Sequence, residues 1–117
     1  MRALFFLLLL VPGPWLMAEE SSGRQVDFGL KVAQKGLWQE ARFRFERAVQ
    51  LDPGNAAALN DLAVALEQMG EFAEARKAYE KALELKPGDI YIQQNYDLFR
   101  EADDKRNRKS RKKKAQP

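Results

Sequence analysis

The sequence contains no cysteine and no histidine. Without cysteine there is no disulfide, no thiolate nucleophile and no lipid-modified lipoprotein cysteine. Without histidine the commonest general base and the commonest metal ligand are both missing. No phosphate-cradling glycine-rich loop, metal-ligand cluster or nucleophile–base pair stands in the sequence. No catalytic, metal-binding or cofactor-binding residue is therefore assigned, and the chain reads as a non-enzyme. Long apolar runs are also lacking. The one continuous stretch, Ala3 to Val11, is too short to span a bilayer comfortably, and Pro12 and Pro14 interrupt its helix.

What is present divides by charge. The 117 residues carry 20 bases and 17 acids, a net of +3. That balance conceals two opposite segments. Lys105, Arg106, Arg108, Lys109, Arg111, Lys112, Lys113 and Lys114 form a +8 tail over 105–117 without an acid. All 17 acids lie in 19–104 against 11 bases, a net of −6. The tail reads as a disordered, solvated segment or as a strip for an anionic surface, a membrane among them. Nucleic acid is the disfavoured partner, because no aromatic residue is interleaved for base stacking.

Residues 1–18 have the layout of a secretory signal or an N-terminal membrane anchor. Arg2 precedes a short apolar run, and Ala18 stands before Glu19 and Glu20. Leu16 is larger than the usual residue two positions earlier, so cleavage and retention both stay open. Either places the body outside the cytoplasm, periplasmic or otherwise extracytoplasmic.

The body repeats itself. A shift of 34 lays 22–55 over 56–89 with eleven identities: Asp27/Asp61, Gln34/Gln68, Gly36/Gly70, Glu40/Glu74, Ala41/Ala75, Arg42/Arg76, Glu46/Glu80, Ala48/Ala82, Leu51/Leu85, Pro53/Pro87 and Gly54/Gly88. Such a period marks a solenoid of helix–turn–helix units. Gly36 and Gly70 punctuate each unit where a tight turn needs a left-handed backbone. Ala41, Phe45, Ala48 and Val49, and then Ala75, Tyr79, Ala82 and Leu83, recur at spacings of three and four as one buried stripe. Pro53 and Pro87 stop the second helix of each unit. Helices are expected at about 24–35, 38–51, 56–69, 72–85 and 90–104. In the last, Ile92, Tyr96 and Phe99 form a covering stripe, with Glu101, Asp103 and Asp104 expected to face outward. The repeated acids Glu40/Glu74 and Glu46/Glu80 read as solvated faces paired with Arg42, Arg44, Arg76 or Lys77, not as catalytic dyads.

These positions resemble the tetratricopeptide repeat. Phe28-Gly29 and Leu62-Ala63 match its first helix, Gly36 and Gly70 its turn, and Ala41/Phe45/Ala48/Pro53 and Ala75/Tyr79/Ala82/Pro87 its second helix. Gln25 and Leu59 replace the family's frequent Trp. The resemblance implies an all-α fold: two hairpins (22–55 and 56–89) and a capping helix over 90–104, a short right-handed α-solenoid. The final helix could instead be completed by a partner chain. The resemblance also implies a groove for a protein or peptide partner, lined by Val26, Leu30, Ala33, Gln34, Asn60, Val64, Glu67, Gln68, Tyr91, Gln94 and Asn95. Chaperone-binding members grip a C-terminal carboxylate with Lys and Asn where this chain has Val26 and Leu30, so that clamp is absent. The function implied is a scaffold or adaptor. The alternative is a small structural subunit of a membrane-associated complex, attached through its apolar N-terminus and basic tail.

Overall fold

The structure is a computed structural model and describes residues 20–116. The apolar segment at 1–18 lies outside the described residues, so its expected role as signal or anchor is carried by sequence alone. Among the described residues five helices follow one another: α1 Ser22–Gln34, α2 Trp38–Leu51, α3 Ala56–Gln68, α4 Phe72–Leu85 and α5 Ile90–Ala115. No described helix is long and apolar enough to cross a membrane.

Local chemistry sets the ends. Ser21, Asn55 and Asp89 cap α1, α3 and α5, each side-chain oxygen accepting from the backbone amide three residues on. The helix of the first repeat therefore starts at Ser22, two residues before the sequence expectation. Helices α2 and α4 lack a side-chain cap, because they follow directly from the turns at Gly36 and Gly70. Both glycines hold positive φ, +75° and +77°. The amides of Leu37 and Glu71 then reach back to Val32 O (3.1 Å) and Leu66 O (2.9 Å), the six-to-one closure of a Schellman turn. One turn chemistry, used twice, makes two equivalent hairpins.

Helix α1 pairs with α2, and α3 with α4; α2 packs on α3, and α4 on α5. The first helices α1, α3 and α5 also lie side by side, forming one face of the array. Alanines allow this close stacking: Ala41, Ala48, Ala58, Ala63, Ala65, Ala75 and Ala82 are fully buried. Phe45 fills the space between hairpins with Ala65, while Tyr79 lies among Ala63, Leu66, Ala78 and Phe99. Gly29 belongs to this packing, since a Cβ there would stand 2.8 Å from Phe45 Cδ1. The N-terminal edge is tied down where Ser22 Oγ donates to Ala48 O (2.8 Å) and accepts from Asn55 Nδ2 (2.9 Å).

Helix α5 differs from the sequence reading in two ways. It continues to Ala115 instead of stopping at 104 before a disordered tail. No glycine or proline interrupts 90–115, and Lys and Arg are good helix formers. Basic residues in the last turn also complement the helix dipole, and Glu101 pairs with Lys105 (3.0 Å) across the join. The second difference is Asp103, which is buried at 9% exposure instead of facing outward. Arg76 Nη2 donates to its Oδ2 (2.8 Å) and Arg106 Nη2 to its Oδ1 (3.2 Å). Hydrogen bonding from Arg76 first, and then from Arg106, holds this carboxyl below the usual carboxylate range. Arg106 also lies over the Phe72 ring, 3.5 Å from its centroid. Ile92 and Phe99 are buried as expected, and Tyr96 is half-buried with its hydroxyl donating to Glu80 (2.9 Å). The cap is thus held by an aromatic cluster, Tyr79–Phe99 at 5.4 Å and Tyr79–Tyr96 at 5.8 Å, and by a buried ion pair.

Candidate binding groove

The face shared by α1, α3 and α5 is concave. Leu30, Ala33 and Gln34 from α1, Asp61 and Val64 from α3, and Tyr91 from α5 surround a groove of about 290 Å³ with Trp38 and Phe45 of α2. A second hollow of about 280 Å³ shares Leu30, Asp61 and Tyr91 and adds Ala57, Asn60, Lys86, Asp89 and Ile92. The helical repeat explains the convergence. Leu30 and Ala33, like Asp61 and Val64, are three residues apart on one helix and share a face.

Five residues expected in the groove come together in it: Leu30, Ala33, Gln34, Val64 and Tyr91. Asn60 borders the second hollow but is 1% exposed, and its Oδ1 accepts from Asn95 Nδ2 (3.1 Å). These two amides fasten α3 to α5. Glu67 is occupied within its own hairpin, where Tyr79 Oη donates to its Oε2 (3.0 Å). Burial first, then the Glu67 charge, pushes the Tyr79 hydroxyl well above the usual phenol range, so it stays a donor. Val26, Gln68 and Gln94 line neither hollow.

Three groove residues were not among those expected. Phe45 was read as core and Trp38 was assigned no role; both border the groove while packing in the first hairpin. Asp61 is the larger omission. Burial pushes its carboxyl up to about 6, partly offset by a long hydrogen bond from Asn60 Nδ2 (3.4 Å). Its signal in the sequence was a carboxylate within the apolar run Ala56–Leu66, one turn before Val64.

A wider depression of about 550 Å³ lies over the α1–α2 turn, bounded by Gly36, Leu37, Trp38, Gln39, Glu40 and Met69. Its polar lining, Gln39 and Glu40, comes from the first turn of α2 alone, whereas Gln34 and Asp61 reach the groove from two helices. Among the described residues no group of three or more Asp or Glu could hold a metal ion. The basic side chains divide. Arg106 is engaged with Asp103 and Phe72, whereas Lys105, Arg108, Lys109, Arg111, Lys112, Lys113 and Lys114 are exposed along α5.

A family model described as tetratricopeptide repeat matches residues 33–94. No curated protein sequence matches significantly. Among solved structures, the Sgt2 TPR domain from Aspergillus fumigatus is similar with a TM-score of 0.72 and 20% identity, over 78% of this chain and 62% of that one. The second TPR domain of human RPAP3, solved in complex with the HSP70 peptide SGPTIEEVD, gives 0.66 and 18% over 70% and 68%. The MamA protein gives 0.68 and 28% over 80% of this chain and 51% of its own. The chain thus spans less than two thirds of both the Sgt2 TPR domain and the MamA chain.

Proposed function

Because the chain belongs to the tetratricopeptide repeat family, we propose that it is a non-catalytic adaptor that holds a peptide or protein partner in the groove of α1, α3 and α5. The observation carrying this reading is the convergence of Leu30, Ala33, Gln34, Val64 and Tyr91 from three successive first helices on one open, largely apolar groove. A similar fold, the RPAP3 domain, is solved with a peptide bound. Leu30→Asp places a charge on the exposed groove wall, and Val64→Asp places one where the groove meets the core cluster of Ala63, Leu66 and Ala75. Capture from native membranes and soluble extract is expected to retain a partner with the wild type and to lose it with both variants, each still helical by circular dichroism. A partner retained equally by all three would place the interaction elsewhere.

The adaptor is proposed to work outside the cytoplasm, exported or anchored through residues 1–18. Fractionation and intact mass of the natural protein test this: a mass starting at Glu19 means cleavage, and full-length protein in the membrane means anchoring. Full-length protein in the cytosol removes the proposal. A second reading, a structural subunit of a membrane-associated complex, is favoured by the exposed basic run of α5. That run would lie against an anionic surface while the groove holds its partner.

A further inference from the structure

Asp61 has little to do inside the molecule. It stands on α3 between the two hollows of the concave face, with Leu30 and Tyr91 beside it in both. Among the described residues no Lys or Arg forms an ion pair with it, in contrast to Glu74, which pairs with Arg42, and Asp103, which pairs with Arg76. Its single hydrogen-bond donor is Asn60, at 3.4 Å, and Asn60 is itself fixed by Asn95. An ionised carboxylate can accept about four hydrogen bonds. Most of that capacity is therefore open to the groove, in surroundings where burial already disfavours the charge.

We propose that Asp61 receives the ammonium or guanidinium group of a Lys or Arg side chain carried by the peptide in the groove. The inference rests on the groove reading above and names the chemistry of its occupant. A cation restores the lost solvation of the carboxylate with charge-assisted hydrogen bonds. Trp38 and Tyr91 supply aromatic surface for the aliphatic stem and the cation. Neighbouring charges leave the role to Asp61. Helices α1 and α2 bring no charged side chain to the groove, Glu67 of α3 is held by Tyr79, and Asp89 caps α5 through Ile92 N. Lys86 lies across the second hollow and biases the cation toward the Trp38 side. An acidic peptide end like that bound by the RPAP3 domain meets a carboxylate here instead of a clamp.

The test uses the full 117-residue chain, immobilised, against four degenerate decapeptide pools whose fixed central residue is Lys, Arg, norleucine or Glu. At pH 7.5 the Lys and Arg pools are expected to be retained about tenfold over the other two, equivalent to one charged hydrogen-bonded contact. Asp61→Asn should abolish the preference, and so should pH 5 with the wild type, where the carboxyl is protonated. Asp27→Asn removes the same charge from the exposed counterpart on α1 and should keep it. Equal loss in both variants would mean attraction to the acidic body as a whole and would overturn the proposal. So would equal retention of the norleucine pool, which leaves the groove reading standing. Retention of no pool would remove the groove reading as well. Self-association of the wild type that Asp61→Asn abolishes would overturn the choice of occupant, seating the α5 cations of a second copy instead.

Discussion

Gly29 and Phe45 meet where the first hairpin is narrowest, and two opposed effects decide what an alanine at 29 would do. Within a helix, Gly→Ala ordinarily adds up to about 1 kcal/mol of stability. Here the added Cβ runs into a ring that is 1% exposed and packed with Ala41 and Ala65, so the ring must leave that packing and shift toward the groove it borders. Overpacking costs about 1–3 kcal/mol and exceeds the propensity gain. Gly29→Ala is therefore expected to lower the midpoint of thermal unfolding, whereas Gly23→Ala, with open space around it, should not. Asp61 offers the opposite sign. Its folded pKa lies above the ordinary carboxyl value, so between about pH 4 and 6 the folded chain binds more protons than the unfolded one, and stability falls as pH rises. Asp61→Asn keeps an acceptor for Asn60 and removes the buried charge. It should stabilise by about 1–2 kcal/mol at pH 7, after discounting for partial exposure, and by nothing near pH 4. Denaturant titrations of both proteins at the two pH values read this directly. Asp103 imposes the reverse slope: its depressed carboxyl contributes above the ordinary value and is lost as pH falls through the folded one. The difference between the two proteins isolates Asp61, because Asp103 is common to both.

At the scale of elements, helices α2 and α4 occupy the spans read from the 34-residue period, because glycine turns and prolines bracket them on both sides. Helix α5 was legible only in part. Its stripe was taken to end at Phe99, yet the same spacing of four and three continues through Asp103 and Arg106. A stripe sought among apolar residues stops where its members become charged, and here an acid buried between two arginines carries it on. The length of α5 was hidden for a related reason. A run of like charges reads as disorder, while the absence of glycine and proline over 90–115 speaks for helix. The groove was half legible. Periodicity says which residues share a face of a helix, but the rotation of each helix about its axis comes from packing, and it is packing that turns Asn60 inward and Asp61 out. The two parts of α5 should respond differently to truncation. Ending the chain after Asn107 removes residues that are exposed throughout 108–116, so ellipticity should fall while Tm stays within about 1 °C. Ending it after Asp104 also removes Arg106 from Phe72 and Asp103, and should lower Tm by roughly 5–10 °C.

At the scale of the whole molecule, an acidic body holds a groove and a basic helix extends from its last element. The two are expected to answer to different variables. Binding of anionic vesicles should require the exposed cations at 108–114, at about 1 kcal/mol for each held near the surface, and should weaken steeply as salt rises through physiological strength. Co-sedimentation with vesicles, wild type against a chain ending at Asn107, measures it. Loss of vesicle binding with Leu30→Asp would contradict the separation, since that change lies on the concave face.

The packing order of the helices also sets an order in time. Among the described residues every interhelical contact joins neighbours or next-but-one neighbours in the chain, α1 with α2 and α3, and α3 with α4 and α5. Loops that short close rapidly, so each hairpin can form soon after its own residues have been synthesised. Tyr79 packs on Ala63 and Leu66 within its own hairpin, but its outer face has no cover until Phe99 arrives, and Arg76 has no buried carboxylate until Asp103 does. The second hairpin therefore waits, with an aromatic face open, for the last element to emerge. The exposed residues beyond Arg106 come after everything the body needs, so a chain still tethered through them can already be folded.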